Sequence, residues 1–240
     1  RGAAGGRSRR GGAAVKLRID VEATDGAART GSIATARGVL PTPLFMPVGT
    51  RAAVKTLDTA DLESLGIPLV LGNTYHLMLR PGVDVVAAMG GLHRFMDWSG
   101  HLLTDSGGYQ IFSLEPKVTD DGATFRSTYD GSTHHLTPEG AVEVQTLLGA
   151  DIQMVLDVCP ALPSSPAVVQ AAVDRTAHWA QRARRSFLAG AEARAGRGLH
   201  QSQFGISQGG IDASLRAESA QRTVEVGFDG YAIGGLSVGE

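Results

Sequence analysis

Short apolar runs recur along this chain, and most are followed by a turn and then by a longer segment in which apolar residues return at helical spacing. Repeated strand–turn–helix units call for a mainly parallel sheet covered by helices, because a parallel neighbour is reached only through a crossover long enough to hold a helix. Six runs read as such strands: LFMPV (44–48), IPLVLG (67–72), HLLTD (101–105), IQMVLD (152–157), FGISQ (204–208) and YAIGG (231–235). Segments 57–66, 83–90, 137–149, 165–190 and 212–227 read as helices between them. Thr137 before Pro138 supplies a cap and first turn, Gly149 a stop, and Ser165 before Pro166 repeats the start signal.

Successive parallel strands fit either an open doubly wound sheet or a barrel. No G-x-G-x-x-G follows the first strand and no G-x-x-x-x-G-K-[ST] occurs anywhere, which disfavours the dinucleotide and P-loop folds. The expectation is therefore an α/β fold, a TIM-type (βα)8 barrel, with about six barrel strands before the sequence stops at GGLSVGE (234–240). Residues 15–240 are expected to form one incomplete barrel domain.

Two stretches depart from the repeat. Residues 15–40 alternate in short runs around Asp25 and Gly26, which predicts a small antiparallel preface. Segment 117–136 holds Asp-Gly pairs at 121–122 and 130–131 between extended pieces, which predicts hairpins inserted in a βα connection. Adjacent His134 and His135 fall there on opposite strand faces, without ligand-spaced partners, so no metal role is expected.

Composition narrows the partners. With 22 Lys and Arg against 24 Asp and Glu, the formal charge of −2 offers no overall basic field for nucleic acid, although a local patch remains open. Four arginines crowd the first ten residues with almost nothing to bury, so residues 1–14 are expected to be a disordered basic tail, with an RNA-contacting arm as the alternative. No run of about 18 apolar residues is present to cross a bilayer, and no membrane partner is expected. Cys159 is the only cysteine, so it forms no disulfide within the chain and cannot by itself make a cysteine-based zinc site. A cytoplasmic location is compatible with both readings.

In a βα barrel the C-terminal strand ends share one mouth. The predicted ends bring Asn73 and Thr74, Asp105 to Tyr109, Asp157 to Cys159, Gln208 to Gly210, and Gly234 to Leu236 to that face. The set suits a planar heteroaromatic base better than a phosphate or a metal. A carboxylate such as Asp157 accepts two adjacent N–H donors, the Gln208 amide pairs with a carbonyl oxygen, and Gly234 and Gly235 let a ligand approach with no Cβ in the way. Tyr109 can stack on the ring, and Asp105 is then available for proton transfer. A glycosidic reaction also needs a second acid or nucleophile; Asp97, Asp105 and Asp157 are the carboxylates at hand, and spacing does not decide between them.

FMPVGT (45–50), GNTYHLMLRPG (72–82), LLTDSGGYQIFSL (102–114), LDVCP (156–160), FGISQGG (204–210) and FDGYAIGGLSVGE (228–240) together resemble the bacterial-type tRNA-guanine transglycosylase family, in its motif order, over roughly residues 15–240. The resemblance implies a zinc-containing barrel enzyme that replaces guanine at the wobble position of tRNAs with a G-U-N anticodon, those for Asp, Asn, His and Tyr, by 7-aminomethyl-7-deazaguanine. It implies a homodimer and a covalent tRNA intermediate on an aspartate farther along than any in this chain. Asp105 takes the proton-accepting role. Ser106, Gly107, Gly108 and Tyr109 belong to the pocket beside it, Asp157 and Gln208 to purine recognition, Gly235 to a backbone contact, and Leu236 to the flank of the base. Cys159 and Val238 match the pair that leaves room for the aminomethyl group.

The sequence departs from the pattern at Val158, where the family usually has Glu, and it stops at Glu240, before the family's nucleophile and its three-Cys, one-His zinc ligands. The chain by itself is thus expected to be an incomplete enzyme, with a noncatalytic base- or RNA-binding piece as the alternative and an unrelated barrel hydrolase as a remote third.

Overall fold

The structure is a computed structural model in which residues 17–236 are described; the predicted basic tail and Val238 lie outside them. The chain opens with β1 (Arg18–Asp25), β2 (Ala28–Ala34) and β3 (Val39–Thr42), an antiparallel sheet whose first turn follows Asp25 as predicted. Next come β4 (Val48–Gly49), α1 (Thr59–Ser64), β5 (Leu69–Gly72), α2 (Thr74–Leu77), a π-helical turn, α3 (Val83–Ala88), α4 (Leu92–Met96), β6 (His101–Thr104) and α5 (Gly108–Phe112). An antiparallel insertion follows as β7 (Lys117–Val118), β8 (Ala123–Arg126) and β9 (Thr133–Leu136). The chain then runs through α6 (Pro138–Leu148), β10 (Ile152–Met154), α7 (Pro166–Ala189), α8 (Ala191–Gly196), β11 (Ser202–Ser207), α9 (Ala213–Val226) and β12 (Gly230–Ile233).

Strands β4, β5, β6, β10, β11 and β12 form one six-stranded sheet in chain order, every pair parallel. This is the arrangement of a partial TIM-type barrel, and among the described residues the sheet does not close between β12 and β4. Alternation along the strands sorts the core. Leu69, Leu71, Leu103, Ile152, Met154 and Phe204 point inward together, whereas Val70 and Leu102 face outward into the helices with Leu77, Val86 and Leu92. Leu40 and Ile33 of the preface join the inward cluster. Arg37, just before β3, bonds Asp151 at 2.8 Å, which ties the preface to the start of β10.

Two strands are shorter than the apolar runs that predicted them. LFMPV pairs only at Val48 and Gly49: Pro47 has no N–H to give a ladder, and its carbonyl accepts from Leu71 at 2.9 Å. Leu44 and Met46 still reach the inward cluster, while Phe45 is 76% exposed. In IQMVLD the strand stops at Met154 because the buried Gln145 side chain takes both its N–H and its C=O, each at 2.8 Å.

The helix signals translate into caps. The Thr137 side chain accepts from Gly140 N, and Gly149 ends α6 in the left-handed conformation. Ser165 sits at the start of α7 but makes no side-chain capping bond. The insertion is anchored to α7 by Arg182, which grips Glu139 with two bonds of 2.8 and 2.7 Å and also donates to the Asp120 and Asp121 carbonyls. His134 stacks on Phe125 while His135 bonds Thr124 and Asp121, so the neighbouring imidazoles do take opposite faces.

Candidate active site at the strand ends

The inward side chains of the barrel floor a cavity of about 420 Å³ that opens at the C-terminal strand ends. Its apolar base is Met46, Leu71, Leu103, Met154, Phe204 and Ile206; its polar rim carries Asp105, Ser106, Asp157, Cys159 and Gln208. Tyr109, Gly235 and Leu236 complete the wall.

Asp105 comes one residue after β6. Its carboxylate receives Asn73 Nδ2 at 2.5 Å and Thr74 N at 2.8 Å from the start of α2, Gly107 N at 3.1 Å, and the Gln110 amide at 3.5 Å. Burial pushes its pKa up, and these donors only partly oppose the shift. The result is an oriented carboxylate, partly accessible at the cavity, more basic than a free aspartate. Such a group suits proton acceptance near neutral pH.

Asp157 lies beyond β10 and is 7% exposed. Gln208, 1% exposed at the end of β11, donates its amide to Asp157 at 2.5 Å, and Ser106 Oγ stands 3.5 Å from the other carboxylate oxygen. Burial raises the Asp157 pKa to about 6; the Gln208 and Ser106 hydrogen bonds work against that rise, and the nearby Asp105 charge adds to it. Burial likewise raises the Cys159 thiol, so it stays protonated and acts as a small wall rather than as a nucleophile.

The glycines set the last edge. Gly235 adopts φ +70°, and a Cβ there would stand 2.8 Å from Gln208 Oε1; one on Gly234 would stand 2.5 Å from Gln208 Nε2. A side chain at either position would push the Gln208 amide out of place.

Of the sequence-predicted site residues, Asp105, Ser106, Tyr109, Asp157, Cys159, Gln208, Gly235 and Leu236 meet in the one cavity. Gly107 and Gly108 stand behind it, donating to Asp105 and to Ser106. Asp97 is not a member: it ends α4 in a left-handed turn and is absent from the cavity wall. Val158 also points elsewhere, into the cluster with Tyr75, Ile111 and Trp179, while its N–H is held by Thr176 Oγ1 at 3.0 Å.

Two residues escaped sequence reasoning. Gln110 reaches Asp105 from α5, and its Oε1 is buried with no partner among the described residues. Arg216 of α9 donates to the carbonyls of Gly210 at 2.7 Å, Gly234 at 2.5 Å and Gly235 at 3.4 Å, clamping the glycine edge in place. A signal existed for Arg216: it is the fourth residue of its helix, near the end where a cation opposes the helix dipole unless it has its own acceptors.

The model of the queuine tRNA-ribosyltransferase family matches residues 24–240 of this chain. Proteins described as queuine tRNA-ribosyltransferase are similar along most of its length: that of Novosphingobium aromaticivorans is 50% identical over 94% of this chain and 60% of its own length. The corresponding figures are 50%, 94% and 58% for Cereibacter sphaeroides, and 51%, 90% and 57% for Solidesulfovibrio magneticus. The chain therefore spans 60% or less of the length of these three relatives.

Proposed function

The chain belongs to the queuine tRNA-ribosyltransferase family, and from that premise we propose that its cavity is the base-binding part of a tRNA-guanine transglycosylase site. One observation carries the reading: buried Asp157, already paired with Gln208 at 2.5 Å, faces the same cavity as the oriented Asp105 carboxylate. An ionised Asp157 accepts the ring N–H and exocyclic amine of a guanine-type base. Gln208 has a second amide hydrogen for the base carbonyl. Leu236 and Tyr109, which is 59% exposed at the mouth, are positioned to flank the ring.

In the proposed reaction an aspartate outside residues 17–236 attacks the ribose C1′ of the wobble guanosine. The C1′–N9 bond breaks, and guanine leaves with that electron pair and takes up a proton. The incoming 7-aminomethyl-7-deazaguanine yields its N9 proton to Asp105, and N9 then displaces the aspartate from C1′. Cys159 and Val238 leave room for the aminomethyl substituent. The RNA is a tRNA with a G-U-N anticodon, that of Asp, Asn, His or Tyr, and the intact protein is a cytoplasmic zinc-containing homodimer. No three His, Cys, Asp or Glu gather as a metal would require among the described residues.

Labelled guanine exchanged into a G-U-N tRNA by the intact, zinc-supplemented protein tests this reading. Incorporation is expected, and Asp105→Asn should slow it by about a hundredfold or more, because an amide cannot accept the proton. No exchange by the intact protein, or an Asp105→Asn variant with the parent's rate across pH, would count against it.

A further inference from the structure

Two separate elements bring cationic side chains to one tyrosine carried by a third. Arg51 follows the C-terminal end of β4, Arg80 lies in the π-helical turn after α2, and Tyr129 sits in the loop between β8 and β9. The two guanidinium groups lie over the Tyr129 ring, their carbons 5.1 and 4.9 Å from its centre. Arg51 Nε also donates to the Tyr129 hydroxyl at 3.1 Å, and that hydroxyl is 2.8 Å from His76 Nδ1. Burial and Arg51 depress the His76 pKa, which favours a neutral imidazole beside the tyrosine hydroxyl.

The cluster is rigidly coupled to the catalytic face. Helix α2 presents Thr74 N to Asp105 and, two residues on, His76 to Tyr129. Tyr75 between them bonds Thr128 through both its Oγ1 and its N–H, at 3.1 and 3.2 Å. Asp105 also lies within electrostatic reach of His76. Yet neither Arg51 nor Arg80 forms a salt bridge among the described residues. The nearest acid in sequence, Asp130, is occupied instead by the Ser132 N–H and hydroxyl. Both arginines are exposed. Two like charges assembled on one ring, without a carboxylate between them, form a field set for an external anion.

We propose that Arg51 and Arg80, presented by Tyr129, dock a backbone phosphate of the substrate RNA next to the nucleotide whose base enters the cavity. This rests on the function proposed above. A base withdrawn from its stack into a pocket leaves its flanking phosphates at the rim, and contacts to those phosphates set the register of the strand. The guanidinium fork is suited to that contact.

The test is the salt dependence of binding between the intact protein and a G-U-N anticodon stem-loop, from about 50 to 200 mM salt. Arg51→Gln and Arg80→Gln should each weaken binding on the order of tenfold and lower the log–log salt slope by about 0.7 to 0.9. Arg51→Lys and Arg80→Lys should retain the parent slope, and free-base affinity should be unchanged throughout. Gln variants with the parent's slope, or Lys variants that lose as much slope as the Gln ones, would overturn the inference. If the parent binds no RNA at any salt, the function proposed above falls with it; if the parent binds and the variants match it, only the phosphate site falls.

Discussion

At the scale of the residue, the most informative group is Asp157. A carboxyl whose pKa rises from 3.8 to about 6 on folding holds its proton longer in the native state than in the unfolded one. The native state then binds more protons between these values, and stability falls as pH rises through that window. The loss is complete above about pH 6 and on the order of 3 kcal/mol. Asp157→Asn should remove most of this dependence. Thermal unfolding of the intact protein should lose stability between about pH 4 and 6, and the variant should lose markedly less, retaining only the slope that Asp105, shifted in the same direction, contributes. Parallel stability–pH curves would show that burial does not tax this carboxylate.

At the scale of the element, the site depends on a clamp that no motif announces. Arg216 spans from α9 to the loops after β11 and β12, and its three carbonyl acceptors include Gly234 and Gly235 beside Gln208. Replacing it with Met keeps most of the stem but leaves those carbonyls unpaired. The expected result is a base affinity reduced by about tenfold or more with helix content unchanged, read by titration and circular dichroism; unaltered affinity would make the clamp dispensable. Much of the surrounding element structure was legible from residue order. Thr137, Gly149 and Gly227 mark helix ends whose chemistry is local, and Asp25-Gly26 marks a local turn. What escaped detection is nonlocal. Gln145 truncates β10 from a neighbouring helix, and Arg216 reaches 18 and 19 residues along the chain to its glycines. Periodicity carries no record of such side-chain reach.

At the scale of the whole molecule, the parallel order of six strands follows from alternating strand and helix patterns, which is why the barrel was predictable. Convergence of Asp105, Asp157 and Gln208 was predictable for the same reason: each sits at the end of a strand whose direction the βα repeat decides. Spacing left Asp97 open beside Asp105 and Asp157, because a carboxylate within a connection has no such address. The insertion of β7, β8 and β9 then does more than decorate the barrel, since it carries Tyr129 to Arg51 and Arg80. The proposed function requires that this cavity read a guanine-type base through Asp157. Calorimetric titration of the intact protein with 7-aminomethyl-7-deazaguanine, against the Asp157→Ala variant, tests that directly. Loss of the charge-assisted bonds should weaken binding by about ten- to a hundredfold, whereas equal affinity in parent and variant would show that Asp157 does not read the base.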